Sequence, residues 1–343
     1  MLTIRPTYHR RLPLLALITA SLLLGFCDGV AGASELVVSG AGDGHGVGMS
    51  QEGALGYAEH GASYQAILAD YYTGTTLGLA PAGTSVRVLV GSSVQSVPLE
   101  QYVRGVVSAE MPASWPLAAL EAQAIASRTY ALTAHAGGAR FDVYADTRSQ
   151  VYRGIAAETA QTNVAVSATA GQIVLYEGRP ATTYFFASSG GMTENIENVF
   201  LGSEAEPWLR AVSDPYDSGP AHSWKLTLSF ATVGARLKGL LKGAFRGIEV
   251  LKRGVSPRII SANLLGSGGR TLISGPELAA RLGLDATWAY FSIASGQSVT
   301  PEPDRSAWAQ PSPASPASAG AAQGGEQAPP AGEATLAGGV AAG

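Results

Sequence analysis

Tyr102-Val-Arg-Gly-Val-Val-Ser-Ala-Glu110-Met-Pro-Ala-Ser-Trp115-Pro116 is the stretch from which the rest of the chain is read. A β-branched run ends on a single carboxylate, and a proline-started helix follows at once. Glu110 thus lies where a strand or short helix hands over to a turn, a place where side chains are aimed as well as packed. The apolar neighbours Val106, Val107, Met111, Pro112 and Trp115 disfavour an ionised carboxylate. Glycan cleavage needs an acid of that kind, because the leaving oxygen must be protonated. The competing reading is a glutamate that caps or salt-bridges a helix start, and local pattern leaves both open.

Working outward, the sequence predicts a helix after Glu110, with Ser114 as its cap and Pro116 in its first turn. It runs through alanine-rich sequence to about His135 and stops at Gly137-Gly138. Leu117, Leu120, Ala124, Ala131 and Leu132 share one face, with Arg128 in the middle of that stripe and Glu121 close beside it. A buried arginine needs a partner. Arg128 is therefore expected either on the substrate side or in a structural pair with Glu121.

Short strands are predicted at 34–40, 84–90 and 94–98, at 172–176 and 181–186 around the turn 177–180, and at 288–293. Helices are predicted at 53–59, 63–72, 157–170, 230–238 and 276–282. The expected fold class is α+β: one mixed domain with antiparallel strands and a buried alanine-rich helix after Glu110. It occupies residues 34–294, with its core in 84–200.

Residues 1–33 read as a secretory signal. Arg5, His9, Arg10 and Arg11 precede the apolar run 12–26, and Ala31-Gly32-Ala33 offers a cleavage site. That run is shorter than the roughly 20 residues of a membrane span, so no membrane association is expected after cleavage. Cleavage removes three arginines and one aspartate, taking the formal net charge from −4 to −6. Such a chain, with 14% charged residues, offers no electrostatic case for a nucleic-acid partner. The only cysteine, Cys27, leaves with the signal, so neither a disulfide nor a zinc thiolate is expected. Residues 295–343, rich in Ala, Gly, Pro and Ser, read as a disordered tail.

Two further stretches carry polar side chains in glycine-rich settings. Gly40 to Gln51 holds His45, whose glycine neighbours let backbone approach a ligand closely. A structural histidine is the competing reading. Ser188-Ser189-Gly190-Gly191 does not match Gly-x-Ser-x-Gly. It reads as a polymer-binding or turn element, with a serine hydrolase the least supported alternative.

Three blocks together resemble the stage II sporulation protein D family, which also includes the amidase enhancers. The first is Gly44-His45-Gly46-Val47-Gly48-Met49-Ser50-Gln51 with Gly53-Ala54, continuing to Ile67-Leu68 and Tyr71-Tyr72-Thr-Gly74-Thr75. The second runs from Val97-Pro98-Leu99-Glu100-Gln-Tyr102-Val103 through Glu110-Met111-Pro112 to Leu120-Glu-Ala122-Gln123-Ala124 and Arg128-Thr129-Tyr130-Ala131. The third is Ser188-Ser189-Gly190-Gly191-Met-Thr193-Glu194. The resemblance spans about residues 40–293.

The resemblance implies an exported peptidoglycan lytic transglycosylase that cleaves MurNAc–GlcNAc bonds in cell-wall remodelling, sporulation-type engulfment included. Glu110 would be its single acid and base, without the paired carboxylates of ordinary glycosidases. Gln51, His45, Gln123, Arg128, Tyr130, Ser188, Ser189 and Thr193 would bind glycan. Expected partners are peptidoglycan glycan strands and a cell-wall amidase, at the cell wall or on the periplasmic side. The rival reading is a non-catalytic enhancer that binds glycan and stimulates such an amidase. The glycine-histidine block follows the Glu-Met-Pro block in familiar members and precedes it here, as in a circular permutation. Asp43 and Glu52 stand in place of tryptophans, Glu121 in place of a lysine, and Phe186 in place of a zinc-holding histidine. With the cysteine gone, no metal and no cofactor is expected.

Overall fold

The run that ends on Glu110 is helical. Leu99, Tyr102, Val103, Val106 and Val107 are all buried, at the i, i+3, i+4, i+7, i+8 spacing of one apolar stripe. Packing of that stripe overrides the mild preference of valine for strands. The helix stops at Glu110 because Pro112 drives Met111 into extended backbone, at φ −125° and ψ 142°.

The computed structural model describes residues 34–294. The expected signal segment 1–33 and tail 295–343 lie outside the described residues. The chain begins with strand β1 (Glu35–Gly40), a glycine-rich loop and the short strand β2 (Met49–Ser50). Helices α1 (Gln51–Glu59) and α2 (Tyr64–Tyr71) are started by Ser50 and Ser63, whose hydroxyls accept the N–H groups of Gly53 and Ala66. Strand β3 (Thr76–Leu79) precedes the hairpin β4 (Ser85–Val90) and β5 (Ser93–Pro98). Then come α3 (Leu99–Glu110), α4 (Leu117–Thr133), β6 (Val143–Tyr144) and α5 (Ala160–Ala168). Strands β7 (Gln172–Tyr176), β8 (Arg179–Pro180) and β9 (Phe185–Phe186) lead to α6 (Ile196–Val199). The last third holds β10 (Trp224–Ser229), α7 (Phe230–Arg236), β11 (Phe245–Arg253), β12 (Ile259–Gly266), β13 (Gly269–Ser274), α8 (Gly275–Leu282) and β14 (Ala289–Ala294).

This is an α+β fold. Most strand pairs are antiparallel, and β2–β9 and β4–β6 pair in parallel. One buried cluster surrounds α3 and α4 and reaches beyond the expected core, taking in Val47 to Tyr72 and Leu209. The second lies among β1, β10 to β14, α7 and α8. Strand β1 is the middle strand between β10 and β14, so Glu35 pairs with both Ser229 and Ala294. Among the described residues, no helix is long and apolar enough to cross a membrane.

Helix α4 differs from the one-sided helix expected. Every residue from Ala119 to Ala131 except Glu121 is buried, so its whole circumference is covered. Its alanines let α1, α2, α3, α5 and β7 approach from all sides. Pro116, not Ser114, occupies the cap position, and its carbonyl accepts the N–H groups of Ala119 and Leu120. The helix ends at Thr133, and His135 itself adopts φ 43°.

The strand expected over 181–186 also resolves differently. Glu177 and Gly178 both have positive φ, at 48° and 77°, so a two-residue turn pairs Tyr176 with Arg179. The return strand is therefore β8, which ends at Pro180. The chain then crosses over, and Phe185 and Phe186 pair with Met49 and Ser50. That crossover brings the 40–51 loop and the 187–191 turn together.

Candidate functional site

Glu110 is half-buried at the end of α3, between the start of α1 and the loop after β6. Its Oε1 accepts the Val151 N–H at 2.5 Å. Its Oε2 faces Gln51 Nε2 at 3.5 Å, a long contact that leaves this oxygen the more weakly held. Burial pushes the carboxyl above its ordinary pKa, while the Val151 N–H and the Gln51 amide pull it partway back. The two groups bound to it are neutral donors. Glu121, on the flank of α4, has its own carboxyl raised by burial.

Gln51 is the first residue of α1 and is buried. The same Nε2 that faces Glu110 lies 3.4 Å from Gln123 Oε1, and Gln123 Nε2 donates to Ser127 Oγ at 2.9 Å. The relay Glu110–Gln51–Gln123–Ser127 thus spans α3, α1 and α4. Beside it, Gln150 Nε2 donates to the Tyr102 hydroxyl and the Ser127 carbonyl, which fixes the loop that presents Val151.

The 187–191 turn packs under the start of α1. Ser188 and Ser189 are fully buried, and their hydroxyls donate to Asp217 at 3.0 and 2.8 Å. Ser50, the cap of α1, donates to the same carboxylate at 3.2 Å and accepts the Ser189 N–H at 3.2 Å. Thr193 is also buried, and its hydroxyl accepts the Val212 N–H. The neighbouring Glu194 accepts from the N–H groups of Asn195, Val255 and Ser256. These side chains shape the turn and spend their hydrogen bonds inside the protein. Asp214, buried nearby, is pushed up to about 7 by burial; the Ser189 and Tyr71 hydroxyls beside it lie off hydrogen-bond geometry.

His45 sits among Tyr184, Phe186 and Phe200, with ring centroids 5.3 to 5.9 Å away. Burial and the Arg258 charge lower it to about 4, so it is neutral and its Nδ1 accepts the Val47 N–H at 3.0 Å. Tyr130 meets Tyr184 edge-on at 5.8 Å. Tyr184 also lines a cavity of about 310 Å³ with Thr182, Ile196, Glu206 and Leu209. The loop conformation depends on Gly48, at φ 78°, where a Cβ would lie 2.0 Å from the Tyr184 carbonyl.

Arg128 points into the protein interior. It is fully buried and bidentate to Glu100, with both contacts at 2.8 Å. Its remaining donors reach the carbonyls of Gln172, Ala124 and Val166. It ties α3, α4, α5 and β7 together, and its partner is Glu100, not Glu121.

Residues 91–176, which carry Glu110, Gln123, Arg128 and Tyr130, match the model of the stage II sporulation protein family. Stage II sporulation protein D of Bacillus subtilis is 30% identical over 229 residues, covering 62% of this chain and 65% of that protein. The chain is therefore similar to the stage II sporulation protein D family over the part that carries Glu110. A Bacillus subtilis protein named amidase enhancer is 41% identical over 127 residues, 37% of this chain and 17% of its own length. An uncharacterized protein of Brachyspira hyodysenteriae is 35% identical over 187 residues, 54% of this chain and 48% of that protein. The chain thus spans about half to two thirds of the length of the first of these relatives.

Of the residues singled out in the sequence, Glu110, Gln51 and Gln123 meet in one hydrogen-bonded set. His45 and Tyr130 lie around Tyr184, whereas Ser188, Ser189 and Thr193 form the supporting turn. Reading the sequence missed Val151, whose contribution is a backbone N–H and carries no residue signal. It also missed Asp217 and Arg258. Arg258 is fully buried on the second cluster's side and donates to the carbonyls of Ser189 and Gly44. Only the partner loops reveal either role. Among the described residues, no three His, Cys, Asp or Glu side chains are grouped to hold a metal ion.

Proposed function

We propose that this protein is an exported peptidoglycan lytic transglycosylase in which Glu110 acts first as general acid and then as general base. The observation that supports it is the half-buried Glu110 carboxyl, raised by burial and contacted by two neutral donors, with Oε2 loosely held. The protonated acid gives its proton to the glycosidic oxygen as that bond to the sugar C1 breaks. The resulting carboxylate then takes the proton of the muramic acid C6 hydroxyl, whose oxygen closes on C1 to give a 1,6-anhydro end. One carboxylate serves both steps, so the paired geometry of ordinary glycosidases is not required. Gln51 presents its amide beside the reacting oxygen with Gln123 holding it from behind, and Tyr184, with His45 and Tyr130 packed around it, offers ring surface.

The test is to incubate the purified protein with peptidoglycan, intact and stripped of stem peptides, and to look for anhydro-muramyl ends by mass spectrometry. Glu110→Gln is expected to lower product by roughly 10²-fold or more. Unchanged product in that variant would refute the assignment. A second reading rests on the likeness to a protein named amidase enhancer: this chain would bind glycan at the cell wall and stimulate an amidase without cleaving. Glycan binding by the wild type with no anhydro product would favour it.

A further inference from the structure

The contacts beneath the 187–191 turn converge on a residue that the sequence did not single out. Asp217 is almost completely buried, and its Oδ2 collects the hydroxyls of Ser50, Ser188 and Ser189 and the N–H groups of Ser189 and Gly190. Its Oδ1 lies 3.7 Å from His222 Nδ1. Burial alone would raise this carboxyl, yet the donors of His222, Ser189, Ser188 and Gly190 hold it below the usual range. A carboxylate with that many donors fixes the position of everything bonded to it.

One of those partners leads to Glu110. Ser50 donates to Asp217, accepts the Ser189 N–H, and caps α1 through the Gly53 N–H at 3.1 Å. The residue after Ser50 is Gln51, whose amide faces Glu110 Oε2. We propose that Asp217 is a positioning residue for Glu110: it locks the 188–190 turn onto Ser50 and so holds the Gln51 amide against Glu110 Oε2. The groups facing Glu110 are the Val151 N–H from the loop after β6, the Gln51 amide from α1 and the Tyr102 hydroxyl from its own helix. All are neutral, so loss of the Gln51 donor removes stabilisation of the carboxylate that none of the other facing groups replaces with a positive charge.

This proposal adds a positioning element to the site read above as catalytic, and its test does not depend on that reading. The full-length protein, labelled with carbon-13 glutamate, is titrated by NMR, with the Glu110 signal assigned as the one lost in Glu110→Gln. Asp217→Asn and Gln51→Ala are each expected to move the Glu110 midpoint upward. The double variant moves it no further than Gln51→Ala alone, because Asp217 acts through Gln51. A folded Asp217→Asn with the wild-type midpoint, or a double variant whose shift is the sum of the two, overturns the proposal. If Asp217→Asn does not fold, Ser50→Ala breaks the same chain at its middle link and is held to the same two outcomes.

If Glu110 is the acid, Asp217→Asn also lowers turnover roughly 10-fold with little change in KM, the signature of a displaced group. The titration is measured without glycan. Full activity in Glu110→Gln would therefore remove the transglycosylase reading while leaving the positioning result to stand on its own.

Discussion

Replacing Arg128 with methionine separates a substrate-side arginine from a structural one. In the folded protein its guanidinium holds Glu100 by two 2.8 Å bonds and donates to the Gln172 carbonyl at 3.0 Å. Arg128→Met leaves that carboxylate unpaired and the Gln172 carbonyl without its donor. Breaking a buried pair costs about 3–5 kcal/mol. The Glu100 side chain is 37% exposed, however, so water recovers part of the loss. An orphaned carbonyl adds about 1 kcal/mol or more. The expected destabilisation is about 3 kcal/mol, a large share of the 5–15 kcal/mol typical of a domain. Urea unfolding followed by tryptophan fluorescence measures it, and Glu100→Gln with the double variant completes the cycle. Below the melting transition, Arg128→Met should still bind glycan. A loss under about 1 kcal/mol together with abolished glycan binding would refute this account and return Arg128 to the substrate side.

Two other expectations follow from buried or paired elements. Asp214 is pushed up to about 7 from 3.8. The folded state therefore keeps a proton that the unfolded chain releases, so this group makes stability fall as pH rises between those values, by at most about 1.4 kcal/mol per unit, and adds no further slope above 7. Asp214→Asn should flatten that slope and stabilise the protein most near pH 8, as read by denaturation at pH 5 and pH 8. A permuted chain should also fold: Glu35 pairs with Ala294, so a short turn joins them, while the exposed loop at Pro81 and Gly83 can be opened. Its melting temperature should stay within roughly 5 °C of the parent, since a change of 1 kcal/mol shifts a domain of this size by a few degrees. Failure to fold would show that the 80–84 connection is needed.

Much of the local structure was legible because it follows local rules. The β4–β5 hairpin, α1, α2 and α8 fall close to where the sequence pattern placed them, and the structure supplies Ser50, Ser63 and Ser274 as the helix caps. The α4 boundaries drifted because Pro116 could serve as the cap through its carbonyl, a role that side-chain preferences do not encode. The expected strand at 181–186 failed because two positive φ values at Glu177 and Gly178 tighten the turn. Periodicity does not register such angles. Arg128 stands out in the sequence as an arginine on an apolar stripe. Its partner Glu100, however, lies 28 positions away in sequence, at the far end of the preceding helix.

The sequence by itself determined that Glu110 ends an element in apolar company, that a small-residue helix follows it, and that the chain resembles the stage II sporulation protein D family. Short-range patterns carry that information: stripe spacing, proline placement and motif blocks. Only the tertiary structure decided what touches Glu110. Its partners are a backbone N–H at Val151, from the loop after β6, and an amide at Gln51, which directly follows the strand β2 that pairs with β9. Hydrogen bonds between segments 28 to 167 residues apart leave no period in a sequence. They exist because burial obliges each polar group to find a partner, whichever segment can supply one.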